Sequence, residues 1–182
     1  MATMLRLVLD TNVWLDWLVF HDAGIAPIKA AVTNGQAEIL IDAACEQELA
    51  RVLAYPLRKH ALDAGSRATL LAECRSVARM LEPGERENAT SHPPLPVCRD
   101  ADDQKFLELA RACRADVLVT RDRELLRLAR KKLRPAPFRI VTPVQFAATA
   151  DPVCSGGRQA LPAVDHNPGK RPARLKHSGQ SK

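Results

Sequence analysis

Four short apolar runs constrain this chain more than any other feature: Leu5 to Leu9, Ile39 to Ile41, Val117 to Val119 and Phe138 to Val141. They are rich in branched residues and do not clearly alternate with polar ones, the pattern of strands buried on both faces. Longer stretches with helical spacing lie between them. Leu49, Val52 and Leu53 follow Asp42, which can serve as an N-cap, and this helix must stop by Tyr55 because Pro56 disfavours a helical residue before it. Leu70, Leu71, Val77, Ala78 and Leu81 predict a second helix, over Ser66 to Leu81, ended by Pro83 and Gly84. Phe106, Leu107, Ala110 and Cys113 mark a third, and Leu125, Leu126, Leu128 and Ala129 a fourth. Strands alternating with helices predict an α/β domain with a mainly parallel sheet.

With 182 residues, 46% of them apolar, the chain can bury one sizeable core, and no internal repeat divides it. The domain is expected over residues 4–148, followed by a basic tail over 149–182. The net charge of +6 is uneven, since six of the 27 Lys and Arg but only two of the 21 Asp and Glu lie beyond residue 150. The folded part is therefore nearly balanced, and basicity alone is weak evidence for a polyanionic partner. Rich in Pro, Gly and Ser and without hydrophobic period, the tail is expected to be disordered. The N-terminal apolar run is broken by Arg6 and ended by Asp10, too short for a membrane span and unlike a signal peptide, so a cytoplasmic protein is expected. Five scattered cysteines, at 45, 74, 98, 113 and 154, have no zinc or dithiol spacing and read as small buried apolar residues.

The parallel sheet says where chemistry belongs, because in such sheets ligands bind beyond the carboxyl ends of the strands. Asp10 ends the first run and Asp122 follows the third in Val-Thr120-Arg-Asp122, so both should point into one crevice. Each also stands where a helix begins, so a plain N-cap role is the competing reading. Asp103 lies on the same side of its helix as Phe106, Leu107 and Ala110, aiming a carboxylate along a buried face, and a charge buried there calls for a counter-ion. Asp100 is a secondary candidate, and Asp102 reads as surface. On the helix after Asp42, Glu46 and Glu48 sit on opposite borders of the apolar face, and periodicity does not choose between them. His21, His60 and His92 are isolated and are not expected to be ligands.

These acids recur in an order that resembles the PIN-domain family, and within it the VapC-like ribonuclease toxins of toxin–antitoxin systems. Leu-Val-Leu-Asp10-Thr-Asn12 is similar to the family's opening strand and first Asp, and Glu48-Leu-Ala-Arg-Val-Leu-Ala-Tyr-Pro to the helix bearing its Glu. Arg-Asp100-Ala-Asp-Asp103-Gln-Lys-Phe-Leu resembles the third acidic motif, Ala-Asp-Val-Leu-Val-Thr120-Arg-Asp122 the fourth, and Ile-Val-Thr-Pro-Val-Gln-Phe the closing strand and turn. The resemblance covers nearly the whole expected domain and implies a single PIN-like, Rossmann-like domain. It selects Glu48 over Glu46, and implies Asp10, Glu48, Asp103 and Asp122 as catalytic residues and metal ligands. Asp10 and Asp122 are then the principal ligands, Asp103 a ligand or a bridge through water, and Glu48 a ligand or a positioner of the attacking water. Asn12 and Thr120 would steady the carboxylates or the scissile phosphate, or simply shape the turns.

The reaction so implied is hydrolysis of RNA phosphodiester bonds with Mg²⁺ or Mn²⁺, which carboxylates hold and which offset the charge developing on phosphate oxygens. A protein antitoxin and a homodimer are the expected partners. Other acid-based chemistries fit less well. A dehalogenase-like phosphatase resembles Asp-x-Asp, and here the second position is Asn12. The acidic pair, acceptor Asp and Lys of a phosphorelay receiver are not evident, and Gly156-Gly157 lies away from any strand-to-helix junction. The alternative of a different class is a PIN-fold RNA-processing factor, or a binding module with weak or lost catalysis.

Overall fold

A computed structural model describes residues 4–56, 61–85, 94–130 and 135–150. Five strands form one all-parallel sheet: β1 (Leu5–Leu9), β2 (Ala37–Ile41), β3 (Ala78–Met80), β4 (Val117–Val119) and β5 (Arg139–Val141), in the order β3-β2-β1-β4-β5. The helices are α1 (Thr11–Leu18), α2 (Ala26–Thr33), α3 (Ala43–Leu53), α4 (Ala64–Val77), α5 (Gln104–Ala112), α6 (Arg123–Leu128) and α7 (Pro143–Ala150). The expected α/β class with a mainly parallel sheet flanked by helices is what the chain adopts. The central strands are covered on both faces: Leu7, Val8, Leu9, Ile39, Leu40, Ile41, Leu118 and Val119 are all buried. No helix among the described residues is long and apolar enough to cross a membrane.

Local chemistry sets the element ends. Asp10, Asp42, Asp63 and Asp122 are all N-caps, accepting from Val13 N (2.8 Å), Cys45 N (2.9 Å), Ser66 N (2.7 Å) and Glu124 N (2.7 Å) in turn. Each satisfies an amide that has no partner in the first helical turn. Gly35, with φ +67°, supplies the left-handed residue that turns the end of α2 into β2, while Gly35 N and Gln36 N donate to Val32 O and Ala31 O.

The second helix departs from its predicted span. Apolar residues at helical spacing predict a helix over Ser66 to Leu81, but α4 ends at Val77 and Ala78–Met80 form the edge strand β3. Ala78 pairs with Ile39 and Met80 with Ile41, and Leu81 N continues the ladder to Ile41 O at 2.8 Å. Sheet pairing outweighs local periodicity here, and Arg79 anchors the strand by pairing with Glu38 (3.4 Å) and Glu85 (3.0 Å). The helix α7 runs to Ala150, two residues past the expected domain boundary. The expected tail beyond it, which includes Cys154, lies outside the described residues, as do His60 and His92. Cys45, Cys74, Cys98 and Cys113 are buried free thiols, as their scatter predicts.

Candidate active site

The sheet order reverses between β1 and β4. From β1 the chain builds outward through β2 and β3, then returns to lay β4 and β5 on the other side of β1. Connections leaving the two strands diverge at this point and open a crevice at their carboxyl ends. Asp10 and Thr120 meet there, since Asp10 N donates to Val119 O (3.1 Å) and carries the pairing of β1 with β4 one residue beyond the strands.

Asp10 is 2% exposed, and both of its oxygens are engaged. Oδ1 caps α1, while Oδ2 accepts from the Thr120 hydroxyl and from Arg121 N at 3.3 Å. Thr120 Oγ1 in turn accepts from Asp122 N at 2.9 Å, so one fully buried hydroxyl joins the two strand-end acids. Asp122 spends Oδ1 on the amides of Glu124 and Leu125. Both acids are therefore N-caps as well as crevice residues, and the capping reading does not compete with the site. Asp103 differs, for it stands at the start of α5 yet makes no capping bond.

Electrostatics binds these residues into one group. Burial pushes the Asp10 carboxyl up to about 6 against its hydrogen bonds, and the charge of Asp122 adds to the rise. Burial also raises Asp103 to about 6, and Asp122, Asp100 and Asp10 each push it further. The same neighbourhood holds Cys98, whose thiol is pushed up by burial and by the charges of Asp103 and Asp122. Among the described residues, Asp10, Asp103 and Asp122 form no ion pair. Arg121, between Thr120 and Asp122 in sequence, turns its guanidinium onto Asp16 and Asp22 instead.

Glu48 is linked to this group through Lys105. It is held by Arg51 (2.6 Å) and by Lys105 (3.4 Å) on α5, the lysine whose charge tempers Asp103. Glu46 points the other way and pairs with Arg75 on α4. The structure therefore brings Asp10, Asp103, Asp122 and the secondary candidate Asp100 together, and joins Glu48 to their neighbour Lys105. Asn12 is exposed in the first turn of α1. Thr120 is too buried to reach a substrate and contacts the two acids. Sequence reasoning missed Lys105 and Arg121, whose only signal is their position next to the acidic motifs.

A set of oxygen donors that repel one another and form no ion pair among the described residues suits a hard divalent cation. Among the described residues, no three His, Cys, Asp or Glu side chains stand ready to hold one. Hollows of about 510 and 240 Å³ lie at the other end of the sheet, around Asp116 and Phe138 and around Arg6 and Arg79. The acids line neither of them.

Glu46→Gln is expected to leave activity unchanged. Glu48→Gln should lower it roughly tenfold, as loss of a group supporting a metal site does; initial rates of RNA cleavage by the two variants check this, and the reverse outcome would assign the site to the Glu46 border.

A family model described as PIN domain matches residues 6–124, well over half the chain and spanning all four acidic motifs. No curated protein matches significantly. Among solved structures, the chain is similar to VapBC2 from Rickettsia felis bound to a DNA fragment from their promoter. The TM-score is 0.50 and the identity 17%, over 76% of this chain and 98% of that one, a likeness of fold. With the strand order, the switch-point acids and the family match in agreement, the chain belongs to the PIN-domain family.

Proposed function

We propose that the protein is a divalent-metal-dependent endoribonuclease that hydrolyses RNA phosphodiester bonds and acts as the toxin of a toxin–antitoxin pair. The observation that carries this reading is the group of mutually repelling carboxylates, Asp10, Asp103 and Asp122, gathered at the switch point with no ion pair among the described residues. Asp10, Asp103 and Asp122 would hold Mg²⁺ or Mn²⁺. When bound, such an ion supplies Lewis-acid stabilisation of charge on the phosphate oxygens and a more acidic water. The chain's own part is positioning. Thr120 fixes Asp10 and Asp122 relative to each other, and the caps of α1 and α6 fix them to the sheet. Lys105 holds Glu48 beside the crevice, where its carboxylate can orient a water or accept its proton. The fold likeness to VapBC2, a complex with promoter DNA, supports a protein partner.

Incubating the purified protein with single-stranded RNA and Mn²⁺ or Mg²⁺ should give cleavage that chelator abolishes and fresh metal restores. Cleavage that persists in chelator would refute the metal-dependent reading. An absence of cleavage with either metal would favour a binding module of the same fold.

A further inference from the structure

A nuclease with this site has an electrostatic difficulty: its crevice concentrates four aspartates, and its substrate is a polyanion. Cations must flank the crevice to hold the strand. Arg6, Arg51, Arg75, Arg79 and Arg121 are already engaged in ion pairs with Asp or Glu. The outer side of α6 brings three arginines together directly after Asp122. Leu125 and Leu128 are buried and fix the helix's orientation, so Arg123, Arg127 and, in the turn after it, Arg130 are left exposed. These three arginines and Leu126 line one shallow hollow of about 230 Å³. Arg127 is paired with Glu124, while Arg123 and Arg130 have no ion pair among the described residues. Spaced at i, i+4 and i+7, they extend over roughly 10 Å of helix rise, starting at the residue after Asp122.

We infer that this arginine ladder is the binding track for the RNA strand next to the scissile phosphate, with Arg123 and Arg130 each taking a backbone phosphate. The inference rests on the nuclease reading. Guanidinium forks match phosphate bidentately and read no base, so the track sets the strand's path and leaves sequence preference to other contacts. It follows directly from α6 being the helix capped by Asp122, because a strand presented to that acid passes along the arginines.

The test compares full-length protein with the double variant Arg123→Gln/Arg130→Gln. Anisotropy of a labelled single-stranded RNA, measured in an Asp10→Asn background to prevent cleavage, should show binding weakened roughly tenfold, with the slope of log affinity against log salt reduced by about 1.4. In the otherwise wild-type protein, KM for RNA should rise with kcat nearly unchanged, and the melting curve should not move. Unchanged affinity, salt slope and KM in a wild type that cleaves RNA would overturn the track and leave the nuclease reading standing. A wild type that cleaves no RNA would overturn the nuclease reading, and the anisotropy would still decide the track. Lost capture of an acidic protein segment with unchanged RNA binding would also overturn it, assigning the ladder to a protein partner.

Discussion

Replacing Asp103 with Asn should lower metal-dependent RNA cleavage by roughly 10²- to 10³-fold, since each tenfold is about 1.4 kcal/mol and a charged ligand to a catalytic ion supplies several. Asn keeps the size of the side chain and a neutral oxygen but removes the charge. The fold should not suffer, because Asp103 makes no capping bond that the change would break. The variant should in fact be more stable without metal near neutral pH. Burial and the charges of Asp122, Asp100 and Asp10 disfavour the Asp103 carboxylate, and Asn relieves that. After allowance for solvent screening of this partly exposed group, the gain is on the order of 1 kcal/mol, or about 2–4 °C in Tm. Melting curves in chelator and initial rates in Mn²⁺ check the two halves separately. An Asp103→Asn protein with wild-type activity would remove the residue from the site.

A second large effect is expected at Thr120. Thr120→Val preserves the branched shape at a fully buried position and removes a hydroxyl that donates to Asp10 and accepts from Asp122 N. A buried carboxylate loses a donor and a part-buried amide loses its acceptor, at a cost of about 2–3 kcal/mol. Activity should fall roughly 10- to 100-fold, as with other residues that orient metal ligands. A merely structural role would not move the pH profile, but here it should move. The hydroxyl's bond counters the burial that raises Asp10, so without it the acid limb of the activity profile shifts to higher pH. Thr120→Ser, which retains the hydroxyl, should restore most of the rate and the original profile. A Thr120→Val enzyme whose profile keeps its shape would reduce the residue to packing.

The sequence makes some of this arrangement legible and withholds the rest for physical reasons. Strands buried on both faces announce themselves as continuous branched runs, so β1, β4 and β5 can be read directly. The three-residue edge strand β3 cannot be read, because Val77, Ala78 and Leu81 fit a helical period as well as a strand, and only pairing with β2 decides. The helix α2 is hidden by its weak periodicity, with only Ile28 and Ala31 buried. In the site, Asp10 and Asp122 are legible as strand-end acids and Asp103 as an acid on an apolar helix face. The Thr120 link depends on the register of β1 against β4, which joins residues 110 apart in sequence. The two helix-border glutamates differ only in their partners, Arg75 on α4 for Glu46 and Lys105 on α5 for Glu48, and no local pattern carries that information.

The measurement closest to the central claim is Mn²⁺ binding by the full-length protein as a function of pH. Burial and neighbouring carboxylates push Asp10 and Asp103 up to about 6 from their ordinary 3.8, so folding takes up protons between about pH 4 and 6. The stability of the metal-free protein should accordingly fall as pH rises through that window, and level off above it. A cation needs the ionised carboxylates, so Mn²⁺ affinity should run the opposite way, rising through about pH 6 to a plateau above about pH 7. Titration calorimetry at pH 7.5 and pH 5 is predicted to show binding that weakens sharply at the lower pH and is lost in Asp10→Asn. Mn²⁺ binding of equal strength at both pH values, or equal in wild type and Asp10→Asn, would contradict the account.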